Sequence, residues 1–264
     1  MTPELTGNDF ASQAGHWYAP TGEPAYTVIG ANGKERPTTI RDARKLGLLP
    51  SVTTICQLEA KPALTNWKIQ QALLSAMTLP RVEGESDDSF MARALNDSKQ
   101  QAIKAAERGT LIHGLIERAI GADPMEGVGA DLMAIIQPVL NWLSVNFSGY
   151  TWSPERSFAG TGFAGKIDLH GVSQSGNDAV VIDFKIKAGI AAKSVLAYDE
   201  HITQLAAYAY GIGAPIGRCI NLFIDADVPG LIVPKEWTTE ERDRGWLAFG
   251  CLLRLWQIRK GYAP

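Results

Sequence analysis

Apolar residues recur along this chain at two periods, helical through most of its first half and extended through its middle. Leu132, Ile135, Ile136, Val139, Leu140 and Leu143 fall three and four residues apart and predict a helix over 131–147 with one apolar face. The stretch from Asp88 or Ser89 to about Ile120 is also helical in pattern, with a break expected near Asn96 to Ser98. Shorter helices are expected over 39–46, over 52–56 behind an N-cap at Ser51, and over 62–77. The acidic stretch 81–89 reads as exposed. The period then changes. Residues 152–158, 165–172 and 179–186 read as strands, with Ser173 to Asn177 as a hairpin turn. Val180, Val181 and Ile182 form a nearly continuous apolar run, as a strand covered on both faces requires. A helix over 201–210, strands at 219–224 and 231–233, and a last helix to about Lys260 complete the pattern. Thr238 and Glu241 form the sequence signature of a capping box for that last helix. Near the start, residues 26–34 suggest a short strand and turn. The order predicts an α/β class, with a mixed central β-sheet flanked by helices and a mostly helical N-terminal lobe. A single domain over 1–264 is expected, with the lobe at 1–88 and the core at 89–264.

Composition narrows the class without naming a function. Of the 264 residues, 45% are hydrophobic, which supports a buried core. No apolar run approaches the ~20 residues of a membrane span. Met1 to Leu5 lacks a basic start followed by an apolar stretch, so no signal peptide is expected and a cytoplasmic location follows by default. A net charge of −3 argues against a passive nucleic-acid coat, though not against an enzyme with acids gathered around a cation. Lys34, Arg36, Arg41, Arg44 and Lys45 form a local basic cluster. The three cysteines, Cys56, Cys219 and Cys251, are far apart and include no CxxC pair. That spacing excludes a zinc ribbon or a four-cysteine iron–sulfur cluster, and reduced, mostly buried thiols are expected. With no glycine-rich phosphate fingerprint, no nucleotide cofactor is expected.

Four local patterns carry candidate chemistry. Asp183 and Lys185 stand two apart on a predicted strand and project to one face, while Ile182 and Phe184 project to the other. A carboxylate and an ammonium on a covered face are costly to bury without a partner or a cation. Asp168 closes the run Gly165-Lys166-Ile167-Asp168 on the preceding strand, and pairing about the hairpin could bring it close to Asp183. Two close carboxylates call for a proton or a divalent cation between them, and Mg²⁺ suits such oxygen ligands. The run from Gly109 to Glu117 fits GxxxHxxxE, which puts Gly109, His113 and Glu117 on one helix stripe. Gly109 and Gly114 would let that helix approach another backbone. Gln204 and Tyr208 share a face of the helix after the second acidic strand. Taken singly, each pattern has an ordinary alternative: a structural salt bridge, a satisfied helix histidine, or an amphipathic helix.

Together, in this order and spacing, GxxxHxxxE, GxxD, DxK and QxxxY resemble the RecB-type branch of the PD-(D/E)XK nuclease superfamily. The resemblance extends upstream to Leu49-Pro50-Ser51-Val52-Thr53-Thr54-Ile55, similar to the PSVT segment of phage exonucleases and of the mitochondrial genome maintenance exonuclease. It covers roughly residues 49–210. It implies a restriction-endonuclease-like core and a metal-dependent deoxyribonuclease, an exonuclease, using Mg²⁺ with Mn²⁺ as a substitute and no iron–sulfur cluster. It implies His113, Asp168, Asp183 and the backbone carbonyl of Phe184 as metal ligands. Lys185 would orient or activate the attacking water and offset charge in the transition state. Glu117, Gln204 and Tyr208 would be supporting or DNA-contacting groups, and Ser51 and Thr53 would hold a backbone phosphate. Ile167 stands where the superfamily name has proline, and Ile186-Lys187 follows DxK where threonine is frequent.

DNA is the partner this resemblance implies, with a single-strand annealing protein as a further one, in phage-type recombination, replication or repair. The basic cluster at 34–45, Lys187 and Lys193 are candidates to guide a strand, and Tyr26 and Trp67 to stack on bases. Three other outcomes stay open from the residues: a structure- or sequence-specific endonuclease, a non-catalytic DNA-binding or scaffold protein on a nuclease-like fold, and a structural protein with an internal salt-bridge network.

Overall fold

The computed structural model describes residues 16–193, 196–213 and 217–264; Met1 to Leu5, read above as lacking a signal sequence, lies outside them. Its centre is a five-stranded mixed sheet in the order β5 (Tyr150–Ala159), β6 (Ala164–Ser173), β7 (Ala179–Lys187), β8 (Arg218–Asp225) and β9 (Ile232–Trp237). Neighbours are antiparallel except β7 and β8, which run parallel and are joined through helix α6 (Asp199–Gly211). A parallel pair needs such a crossover, because a tight turn can only reverse the chain. The expected α/β class is therefore present.

Helices cover both faces of the sheet. On one face α4 (Asp87–Ile120) and α5 (Ala130–Asn146) bury Ile112, Ile116, Ile136 and Val139 against Leu169, Ile182 and Leu222. On the other face α2 (Val52–Cys56), α6 and α7 (Thr239–Lys260) bury Ile55, Leu205, Phe249 and Trp256 with Val181 and Cys219. Each aliphatic side chain fully withdrawn from water contributes about 1.5–3 kcal/mol, enough to dock helices whose intrinsic stability is marginal. Upstream lie α1 (Ile40–Leu46), α3 (Pro62–Thr78) and two small antiparallel ribbons. One ribbon pairs β1 (Trp17–Tyr18) with β4 (Leu49–Pro50), and the other pairs β2 (Thr27–Ile29) with β3 (Glu35–Pro37).

Two expectations need correction. The predicted break at Asn96 to Ser98 does not occur, and α4 runs unbroken for 34 residues. Its polar residues are satisfied without ending the helix: Ser98 Oγ donates to the Leu95 carbonyl, and Asp97 accepts from Ser75 Oγ on α3 at 2.8 Å. Nor do Gly109 and Gly114 mark a close helix approach. A Cβ at Gly109 would meet only Ile186 at 3.9 Å, and one at Gly114 would meet nothing within 4 Å. Of the three cysteines, Cys56 and Cys219 are buried and Cys251 is exposed. Burial pushes both buried thiols up to about 12. Among the described residues, no helix is long and apolar enough to cross a membrane.

Candidate active site

The site forms where the sheet stops being regular. The β6–β7 ladder pairs Val172 with Ala179 and ends at Leu169 opposite Ile182. One step further Asp168 and Asp183 would face each other, but there the strands part. Asp168 Oδ2 instead accepts the Phe184 N–H at 2.9 Å, so a side chain stands in for the missing backbone acceptor. The β5–β6 ladder is interrupted at the same level, between Pro154 opposite Leu169 and Arg156 opposite Ile167. The residue in that gap is Glu155, whose φ of 49° lies in the left-handed region. A non-glycine residue there carries strain of about 1–2 kcal/mol.

That strain accompanies a change of face. Residues an even number apart on a strand share a face. Yet Trp152 packs with the α4–α5 core while Phe158 packs with the α6–α7 core, and Leu169 and Ile167 divide the same way. Both strands therefore exchange faces at Glu155 and Asp168. Asp168 stands between Glu155 on one neighbouring strand and Asp183 on the other.

Asp183 is 2% exposed and tightly held. Lys185 Nζ lies 2.9 Å from its Oδ1 and 2.7 Å from its Oδ2. Asn221 Nδ2, on the neighbouring strand, donates to Oδ2 at 2.7 Å, and Gln204 Nε2 on α6 donates to Oδ1 at 3.3 Å. Burial raises the Asp183 pKa, and the nearby Asp168 charge raises it further, against the Lys185 and Asn221 contacts that lower it. For Lys185, burial lowers the pKa, but Asp183 and Asp168 outweigh it and the net direction is up. Lys185 is thereby kept as a cation, which suits orienting a water or offsetting charge and does not suit accepting a proton.

His113 reaches this point from α4. Its Nε2 lies 3.1 Å from Asp168 Oδ2 and its Nδ1 3.9 Å from Glu155 Oε1. Burial lowers the His113 pKa, and the Asp168 hydrogen bond and charge more than reverse this, so it is raised overall. One ligand atom each of His113, Glu117 and Glu155 lie within 4.8 Å of one another, an acidic–imidazole group able to hold a metal ion. The donor set, one imidazole nitrogen among carboxylate oxygens, fits a hard divalent cation and lacks the thiolates a softer metal prefers. Two carboxylate pairs thus flank His113: Asp168 with Asp183, and Glu117 with Glu155. Glu155 is also in an ion pair with Lys166.

Helix α6 supplies the remaining polar groups. Gln204 Nε2 bridges Asp183 and the Tyr208 hydroxyl, the latter at 2.9 Å. Tyr208 is 3% exposed, and burial followed by the Asp168 and Asp183 charges raises its pKa well above the usual value. It stays a neutral phenol. Gly165 makes room for it, since a Cβ there would lie 2.9 Å from both the Tyr208 and Phe158 rings. Ser51 is buried, and its Oγ accepts the Thr54 N–H at 3.0 Å and bonds to the Thr53 hydroxyl at 2.9 Å. Its hydroxyl is therefore engaged in capping α2, which leaves Thr53 as the freer of the two.

These groups share one cavity of about 380 Å³. His113, Asp168, Asp183, Phe184, Lys185, Gln204 and Tyr208 line it together with Ser51 and Thr53 from the start of α2. The structure thus brings together the sequence candidates, with Glu117 one helical turn from His113. Sequence reasoning missed Glu155, Asn221, Lys166, His16 and Tyr18. Asn221 had a usable signal, a lone amide inside the apolar run Cys219 to Ile224. Of the basic cluster, Arg36 pairs with Asp42 at 2.7 Å and Arg44 donates to the Lys260 carbonyl, so these two are partly engaged.

No protein-family description and no curated protein matches this chain. Among solved structures, SSO0001 is 14% identical, with 72% of this chain and 86% of that one covered at a TM-score of 0.29. Another, named "Putative exonuclease" from Eubacterium rectale, is 15% identical, with 100% of this chain and 89% of that one covered at a TM-score of 0.38. At these values neither likeness carries a residue role or an activity to this chain.

Proposed function

We propose that the chain is a metal-dependent deoxyribonuclease, an exonuclease of the RecB-type branch of the PD-(D/E)XK superfamily. The observation that supports it is the gathering of His113, Asp168, Asp183 and Lys185 in one cavity where β6 and β7 part. A purely structural ion pair explains Asp183 with Lys185 and leaves His113, Glu117, Glu155 and Asp168 gathered beside them without a reason. His113, Asp168, Asp183 and the Phe184 carbonyl would hold Mg²⁺, or Mn²⁺ in its place, with Glu117 and Glu155 completing the carboxylate surround. When bound, the cation supplies Lewis-acid polarisation of the phosphate and a water of lowered pKa. Lys185 orients that water and offsets charge developing on the phosphate. Asn221 and Gln204 hold Asp183 in register, and Tyr208 acts through Gln204. Thr53, which lines the same cavity, would take a phosphate oxygen. DNA is then the partner, in the cytoplasm, with a single-strand annealing protein as an associated factor.

The test is cleavage of end-labelled linear and closed-circular DNA with Mg²⁺, Mn²⁺ or EDTA, beside Lys185→Ala. Metal-dependent loss of the linear form alone, absent in the variant, is the expected result. Nicked circles would replace the exonuclease with an endonuclease, and an inert wild type under every metal would overturn the enzyme.

A further inference from the structure

Part of the cavity's lining is aromatic. His16, Tyr18 and Tyr26 line the same cavity as Asp168, Asp183 and Lys185. The His16 and Tyr26 rings lie 4.8 Å apart at 34°, and Tyr18 meets Tyr26 edge-on at 5.5 Å and 89°. The two phenol oxygens are 2.6 Å apart, and Tyr18 is 2% exposed, so a buried ring fixes the rotamer of a half-buried one. The backbone is equally constrained. His16 N donates to Thr54 Oγ1 at 3.2 Å, its carbonyl accepts from Ser51 N at 2.9 Å, and the Tyr26 carbonyl accepts from Thr38 N at 2.9 Å. His16 is thus tied to the turn that carries Ser51 and Thr53, and Tyr26 to Thr38 and to the buried Tyr18.

We propose that His16 and Tyr26 form a stacking platform for an unpaired nucleobase of the strand whose phosphate meets Asp168, Asp183 and Lys185. This rests on the nuclease reading above and adds the substrate class to it. Flat ring faces take any base, since every base offers a π-face, and so they select for an unstacked base without selecting sequence. A cavity of about 380 Å³ has the scale of a small-ligand pocket, enough to take one nucleotide. A base lying on His16 has left its partner strand, so the strand is single or frayed when it enters. The same lining carries the Lys166 and Lys185 ammonium groups, each paired with an acid of the site, and it is beside these that the phosphate would sit.

The experiment compares binding of a single-stranded DNA oligonucleotide with that of an abasic one of equal length, in EDTA, by fluorescence anisotropy. Cleavage of the same pair in Mn²⁺ is followed in parallel. The wild type is expected to prefer the base-bearing strand by about 5- to 150-fold, the range of one base–aromatic stack. His16→Ala, at an exposed residue, and Tyr26→Ala should bring that ratio toward one, and His16→Phe should restore it. A ratio unchanged in both alanine variants would overturn the platform, whether or not cleavage is seen. A ratio that behaves as expected in a protein that cleaves nothing would remove the nuclease and leave the platform standing.

Discussion

Replacing Lys185 by alanine tests the electrostatics of the site without relying on turnover. Asp183 is 3% exposed at its side chain and Lys185 21%, and the ammonium contacts both carboxylate oxygens. Removing one partner of a buried ion pair costs about 3–5 kcal/mol, because the other charge stays buried. Two amide donors, Asn221 at 2.7 Å and Gln204 at 3.3 Å, remain on Asp183, so the cost should fall at the lower end, about 3 kcal/mol. For a chain of this size that lowers the melting temperature by roughly 6–12 °C in EDTA. A divalent cation held by Asp168 and Asp183 supplies the positive charge the variant lacks. Metal at a hundred times its Kd stabilises a folded protein by about 2.7 kcal/mol. At equal cation concentration the variant should gain more than the wild type. The assay is differential scanning fluorimetry of both proteins across an Mn²⁺ titration. A variant that melts within roughly 2 °C of the wild type in EDTA would refute the buried-pair argument. Equal metal shifts in the two proteins would refute the claim that ammonium and cation answer the same carboxylates.

Other consequences follow from single residues. Asp168→Asn keeps an acceptor for the Phe184 N–H and removes the charge, so calorimetry should show weaker Mn²⁺ binding with the fold retained; an unchanged isotherm would count against its ligand role. Glu155→Gly relieves about 1–2 kcal/mol of left-handed strain while discarding a carboxylate. Its melting temperature should stay near that of the wild type as cation affinity drops, and a collapse in stability would mean the side chain, not the backbone, sets the strand crossing. His201 is held down to about 3 by burial, then by Lys185, Lys187 and Lys61, and its neutral Nδ1 accepts the Tyr198 N–H at 3.1 Å. A histidine with its folded pKa below the unfolded value of about 6.5 favours unfolding as pH falls through the window between them, by about 2 kcal/mol from pH 7.5 to 5. His201→Asn keeps an acceptor that does not titrate, so its melting temperature should fall less over that range; parallel profiles for the two proteins would rule this out.

Much of the fold was legible in the sequence because packing enforces the two periods the residues display. The α5 stripe had to face a core, and the Val180 to Ile182 run had to be central, since neither tolerates water on its apolar side. The acid pair was legible too, because alternation alone puts Asp183 and Lys185 on one face. What failed was reading local polarity as a stop signal in α4, where Asp97 and Ser98 found partners in α3 and in their own helix. Sequence could not show that a serine on α3, 22 residues away, would be waiting.

Glu155 shows a deeper limit. Pro154 cannot donate to a ladder and so marks β5 as an edge or bulged strand, but nothing in Pro154-Glu155-Arg156 announces a left-handed backbone at Glu155 or a change of face. The reversal becomes visible only when Trp152 and Phe158 are found in different cores. It also explains why the site lies where it does. A regular sheet would pair Asp168 with Asp183 through their backbones and leave no opening beside them. By changing face at Glu155 and Asp168, the two strands end their regular pairing at one level. The Asp168 side chain takes over one lost hydrogen bond, His113 approaches from α4, and two carboxylate pairs converge on it. The strain in Glu155 is thus linked to the cavity itself. A chain that kept all four motif residues but carried a regular β5 would be expected to fold as well or better, and to gather no cation-holding group.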